Sequence, residues 1–316
     1  MATRRLSHAY LLTGLPQVGK GTLALDLARA VNCESGGPAP CSECRPCRRI
    51  ASGKHADVIT VRREEGKTEI SIDQVRDIQH RASLKPTEGQ WMVFIVDGAE
   101  DMSSEAANCL LKTLEEPAPQ TLFLLITSRE VRLLPTVRSR CQRLPVRPMP
   151  RPQVEQELLR RGVEPQRAAL VARLCRGRLG WAVAAAQDSA DIWQRRQQAI
   201  ERLAGLVGAS YGQRLDYAIE WSGQFPRRRQ QAFEELELWQ DWWRDLLLAK
   251  SGCQGFISNW DYSEQVRHQA EGLVLEDIVG FLRRLQRTRW ALEANANARL
   301  ALEVMLLHLP CRERVA

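Results

Sequence analysis

VFIVDGAEDMSSEAANCLLKTLEEPAPQTLFLLITSREVRLLPTVRSRCQ, residues 93–142, is the stretch that decides the fold. It begins in a short uncharged run, Met92–Val96, and later passes through a second, Leu122–Ile126. Between them Ala106–Leu114 carries Leu110, Leu111 and Leu114 at helical spacing. Short β-rich runs without charge are what strands buried on both faces require, and a strand–helix–strand order joins such strands in parallel. Outward from this stretch, Tyr10–Thr13 and Val58–Val61 read as further strands. Gly21–Val31 and Ile72–Leu84, the latter apolar at 72, 75 and 78, read as helices. The alternation predicts an α/β first half built on a parallel sheet.

Residues 14–24, GLPQVGKGTLA, follow the first predicted strand and open the first predicted helix. Gly14, Gly19 and Lys20 have the G-x-x-x-x-G-K spacing of a loop whose backbone N–H groups cradle phosphates. The next position takes a hydroxyl when magnesium is held there; here it is Gly21, with Thr22 one place late. Lys20 reads either as a phosphate ligand or as a relic on a surface loop.

Cys33, Cys41, Cys44 and Cys47 lie within fifteen residues. Two C-x2-C steps that share Cys44 bring three sulfurs toward one tetrahedral ion, and a loop through Gly36, Gly37, Pro38 and Pro40 lets Cys33 close the fourth corner. Four thiolates leave no open position for water, so the expected cofactor is structural Zn2+; an iron–sulfur cluster is the minor alternative. Cys109, Cys141, Cys175, Cys253 and Cys311 read as buried small hydrophobes. Clustered rather than paired cysteines favour a reducing cytoplasm over a disulfide framework.

A chain of 316 residues is long enough for two or three domains, and 44 % hydrophobic with 26 % charged residues is an ordinary globular balance. No window approaches the ~18 apolar residues of a membrane span, and MATRRLSHAYLLTG lacks a signal peptide's apolar core. The net charge of +7 is uneven: Arg138 to Arg178 holds eleven Arg, no Lys and three Glu. That region reads either as a nucleic-acid surface or as a solvated face beside a domain junction. In PVRPMPRPQ, Pro145, Pro148, Pro150 and Pro152 are incompatible with a helix interior or a central strand, so a domain boundary falls there. Residues 153–187 read as a small three-helix unit. From about Asp188 the chain is helical and holds seven of the nine tryptophans. In its FEELELWQDWWRDLLLAK, positions 236, 239, 243, 246 and 247 form one apolar stripe, which predicts core packing.

AANCLLKTLEEP, the strand LFLLITS and Ser139-Arg140-Cys141 together resemble the AAA+ core of bacterial DNA polymerase III clamp loaders, whose members also carry a four-cysteine module after the phosphate-loop helix. The resemblance extends to the C-terminal NANARLALEVMLLHLP, which is similar to the end of a non-motor subunit of that family, with no long extension after it. It implies a RecA-like core over 1–147 with the zinc module at 33–47, a three-helix lid over 148–188, and a helical collar over 189–316. The implied partners are the delta and gamma/tau subunits of a hetero-pentameric ring, with the sliding clamp and primer–template DNA met through the assembled complex.

The same resemblance assigns roles. Asp97 would attract magnesium, but Gly98 stands where active members carry the glutamate that polarises the attacking water, and Gly180 stands where motor subunits place a γ-phosphate-contacting arginine. Glu100 and Asp101 are expected to point elsewhere. Removal of a general base costs ~10²–10⁴ in rate, so no intrinsic ATPase is expected, and Gly14, Gly19, Lys20, Thr22 and Asp97 are expected to form a degenerate ATP/Mg2+ site. Arg140 would instead act as an arginine finger in a neighbour's site. Other readings are an active gamma/tau-type motor ATPase, a nucleoside-monophosphate kinase suggested by G-K-G-T, and a stand-alone zinc-dependent DNA binder.

Overall fold

A computed structural model describes residues 6–35, 39–187 and 190–310. Gly36, Gly37 and Pro38 of the cysteine loop, the junction at Asp188, and Cys311 lie outside the described residues. The chain divides into two compact units, residues 1–150 with 177–181, and residues 151–176 with 182–316.

In the first unit five parallel strands form one sheet: β1 (Ala9–Thr13), β2 (Val58–Arg62), β3 (Met92–Asp97), β4 (Thr121–Thr127) and β5 (Gln142–Pro145), in spatial order β2-β3-β4-β1-β5. Crossing helices are α1 (Lys20–Val31), α2 (Arg45–Ala51), α3 (Ile72–Ala82), α4 (Ser104–Glu115) and the short α5 (Pro135–Ser139). Every residue of β4 is buried, as a central strand covered on both faces must be. Leu11, Phe94, Phe123 and Leu125 turn to the face with α3 and α4, while Leu12, Val93, Ile95 and Leu124 turn to the face with α1 and α2. Phe94 and Phe123 stack at 5.2 Å between centroids. Ser71 and Ser103 cap α3 and α4 by accepting from Gln74 N and Ala106 N.

Two elements carry no clear sequence signal. β5 pairs only with β1, so an edge strand with charged Arg143 and a terminal proline suffices there. α2 is short and begins inside the cysteine module at Cys44, with Pro46 in its first turn.

The second unit is helical: α6 (Arg151–Arg160), α7 (Pro165–Leu174), the end of α8 (Leu179–Ala186), α9 (Ala190–Gly208), α10 (Tyr211–Gln224), α11 (Arg229–Lys250), α12 (Ser263–Glu271), α13 (Leu275–Glu293) and α14 (Ala298–Leu307). Pro152 sits in the first turn of α6, where its missing N–H is not needed. The α11 stripe packs as the spacing requires, with Leu236, Trp239, Trp243 and Leu246 buried and Trp243 against Phe281 at 4.5 Å. Arg214 is fully buried and donates to Leu206 O, Val207 O, Leu306 O and Leu309 O, which ties the ends of α9 and α14 together. Two expectations change. Cys253 is exposed, because it lies in the turn just past α11 rather than in a helix face, and Cys109 and Cys141 are only half-buried. Among the described residues no helix is long and apolar enough to cross a membrane.

Candidate functional site

The phosphate-type loop leaves the carboxyl end of β1 and enters α1. Gly14 has φ +148°, and a Cβ there would lie 2.2 Å from Val146 O. Only glycine admits that approach, which is fixed by Val146 N donating to Thr13 O at 2.7 Å. Gly19 precedes the helix in a left-handed conformation, φ 102°.

Lys20 is 5 % exposed, so it is no surface relic. Its ammonium donates to Gly14 O at 2.8 Å, Leu15 O at 2.6 Å and Ser128 Oγ at 3.0 Å. An ammonium has three hydrogens, and three acceptors of its own chain take them. Burial pulls this group below the usual lysine range, while the carboxylates of Glu100 and Asp97 act the other way. Thr22 lies exposed on α1 and Asp97 exposed at the carboxyl end of β3.

Glu100 does not point elsewhere, contrary to the sequence expectation. Gly98 takes φ 80° and starts a tight turn over Ala99–Asp101 that folds the chain back. Glu100 Oε1 then accepts from Ser128 N at 2.9 Å, and Ser128 is the residue whose hydroxyl holds Lys20. Glu100 Oε2 is buried without a hydrogen-bond partner among the described residues. Asp101 is pushed above the usual carboxylate range by burial and then by Glu100, with Arg129 opposing. Sequence spacing missed Glu100 and Ser128; the glycine before Ala99 is the one signal of the turn.

Gly180 lies against the same loop. Its N–H donates to Gln17 O at 2.9 Å, and a Cβ on Gly180 would come within 3.0 Å of that oxygen. Beside the loop an open cleft of about 370 Å³ is lined by Thr13–Leu15, Ser128, Arg143 and Val146–Pro148.

The four cysteines converge where α1 ends and α2 begins. Their sulfurs all lie within 4.8 Å of one another, so the group could hold a metal ion. Cys44 N donates to Cys41 Sγ at 3.3 Å. The Cys33 thiol is drawn down to about 6 by its contact with Ser35 and the backbone at Cys41. Burial pushes Cys47 up to about 12. Thiolate-stabilising N–H and O–H donors around a compact S4 set fit a tetrahedral Zn2+. The module is rooted by Asn32, the residue before Cys33, whose Oδ1 accepts from Gln90 N and Trp91 N at 2.8 Å each. Nearby, buried Asp57 accepts from Thr87 N, Glu88 N and Gly89 N at 2.8, 2.8 and 2.6 Å.

Arg140 lies elsewhere. β1 and β5 run parallel, with Tyr10 opposite Gln142 and Thr13 opposite Pro145. Arg140 precedes the amino end of β5, whereas the loop follows the carboxyl end of β1. The two are therefore at opposite ends of the sheet. The structure brings Gly14, Gly19, Lys20 and, across β3 and β4, Asp97, Glu100 and Ser128 together, but not Arg140.

A β2-β3-β4-β1-β5 parallel sheet with a glycine-rich loop opening α1 and an acid ending β3 defines an α/β core of the phosphate-loop class. Residues 1–150 match the family described as "DNA polymerase III, delta subunit". The chain is similar to DNA polymerase III subunit delta' of Bacillus subtilis, 41 % identical over 170 residues, which are 54 % of this chain and 51 % of that protein. With subunit delta' of Escherichia coli it shares 37 % identity over 202 residues, 63 % of this chain and 60 % of that protein. With subunit tau of Bacillus subtilis it shares 38 % over 141 residues, 44 % of this chain and 24 % of that protein. The matches thus span about half the length of the delta' relatives. They support a clamp-loader subunit of the delta' kind.

Proposed function

We propose that this chain is the delta' stator of a DNA polymerase III clamp loader, a subunit without ATPase activity of its own. It would help load the sliding clamp onto primed DNA during replication and supply Arg140 to the nucleotide site of an adjacent motor subunit. On this reading 148–188 is the lid and 189–316 the collar, and the ring also contains delta and gamma/tau. Cys33, Cys41, Cys44 and Cys47 hold structural Zn2+, which braces the loop between α1 and α2 and takes no part in turnover. The setting is the cytoplasm.

The observation that carries this reading is the position of Arg140 at the sheet end opposite its own loop. A guanidinium placed there cannot reach the loop of its own chain, while a subunit packed against that end can receive it. Arginine fingers are worth ~10³–10⁵ in rate where they neutralise charge on a transferred phosphoryl group. Lys20 supports the other half: its three hydrogens are spent on two loop carbonyls and Ser128 Oγ, and Gly98 supplies no base.

A second reading, an active gamma/tau-type motor, draws on the similarity to tau and on the Glu100 carboxylate held beside Ser128 and Lys20. One experiment separates them. The purified chain is assayed for magnesium-dependent ATP hydrolysis, and the reconstituted ring is assayed with Arg140→Ala. The stator reading expects background turnover alone and loss of clamp- and DNA-stimulated turnover in the ring, with assembly intact. Robust turnover by the chain alone, abolished by Lys20→Ala, favours the motor.

A further inference from the structure

Arg140 is not presented as a free side chain. Its Nε donates to Glu115 Oε1 at 2.8 Å, and Nη2 donates to the same oxygen. Nη1 donates to Thr136 O at 2.9 Å and to Ser139 Oγ at 3.3 Å. A guanidinium has five N–H groups, so four are already engaged by its own chain. The Nε/Nη2 edge is the one that accepts a carboxylate or a phosphate side-on, and Glu115 occupies it. Glu115 is the last residue of α4, at the same end of the sheet as Arg140. The pair is open to solvent, with side-chain exposures of 31 % for Arg140 and 49 % for Glu115.

We infer that Glu115 is a built-in competitor for Arg140: it holds the guanidinium against its own subunit until the polyphosphate of a neighbour's nucleotide takes the same edge. The inference rests on the reading of Arg140 as a residue acting in trans. Two anions cannot share one side-on edge, so engagement of phosphate there requires exchange with the carboxylate. A half-exposed pair of this kind is weak, so the exchange is cheap and its effect on turnover is about two- to fivefold. A Glu115 that instead held the arginine ready would give the opposite sign on substitution.

The test uses the reconstituted ring without clamp or DNA and follows ATP turnover and KM. Glu115→Gln keeps the side chain's size but removes the competing charge, and Glu115→Ala removes the group. Both should raise basal turnover about two- to fivefold with a lower KM, and neither should do so in an Arg140→Ala background. Unchanged or reduced turnover in the Glu115 variants overturns the proposal. So does a rise that persists without Arg140. If Arg140→Ala alone leaves turnover unaltered, the in-trans reading itself has failed, an outcome distinct from a failure confined to Glu115.

Discussion

Lys20 has all three and Arg140 four of five N–H groups engaged by their own chain, yet the two environments differ in what can displace the partners. Lys20 is 5 % exposed and bonded to two backbone carbonyls and a hydroxyl. An incoming phosphate would have to draw the ammonium away from all three acceptors. The Arg140 side chain is 31 % exposed and is held on its open edge by one carboxylate that water already reaches. A buried cation satisfied by main chain is a staple; a half-exposed one satisfied by a side chain is exchangeable. A positive charge in a loop therefore says little about function until its acceptors are named.

Substitution should be felt most strongly at Arg140. Arg140→Ala should lower stimulated turnover of the reconstituted ring by ~10³-fold or more while shifting the stability of the isolated chain by less than ~1 kcal/mol. A matching loss of thermal stability would mean that Arg140 is a staple too.

Next is Gly14→Ala, which sets a Cβ against Val146 O in a backbone region closed to L residues. It should cost about 3 kcal/mol or more in denaturant unfolding, since the loop must shift to relieve it. Lys20→Met should cost about 2 kcal/mol, because the Gly14 and Leu15 carbonyls lose their donor. The same variant should leave ring turnover unaltered; a large loss would make Lys20 a working phosphate ligand.

Smaller still is Gly98→Glu, which restores a carboxylate where motor subunits have one. No ATPase should appear in the isolated chain, and unfolding should be easier by about 1 kcal/mol, because φ 80° disfavours any side chain and Asp101 Oδ2 lies 3.3 Å from the new Cβ.

The smallest effect is on pH. Lys20 titrates below its unfolded value, so between the two values the unfolded chain binds the extra proton and stability rises with pH. Relative to Lys20→Met, the unsubstituted chain should therefore gain melting temperature as pH climbs from neutrality toward 10.5, the ordinary lysine value. A flat difference would mean that the ammonium is not desolvated.

Much of the first unit was legible because buried parallel strands leave short uncharged runs, spaced between helical patterns. Tyr10–Thr13 and Leu122–Ile126 fall inside the strands Ala9–Thr13 and Thr121–Thr127. Gln142–Pro145 was not legible, since an edge strand needs little burial and borrows its register from β1. The cysteine set could be read because metal ligation constrains spacing directly. The company Lys20 keeps could not. Glu100 enters through a left-handed glycine, Ser128 through the end of a neighbouring strand, and Val146 through a backbone oxygen; none of these leaves a trace in residue type. Likewise Arg140 can be placed in a motif, but its partner Glu115 lies 25 positions away.

A parallel sheet has a direction, and in this chain the two ends of that direction have been finished differently. On the proposed reading, the end that would receive help from another subunit has its lysine engaged by Gly14 O, Leu15 O and Ser128 Oγ, while the end that would offer help carries Arg140 half open to solvent. Links that both give and receive can be strung together without limit. A link that only gives closes the series, so the packing around Lys20 would set where a row of such subunits stops as well as which of them turn over.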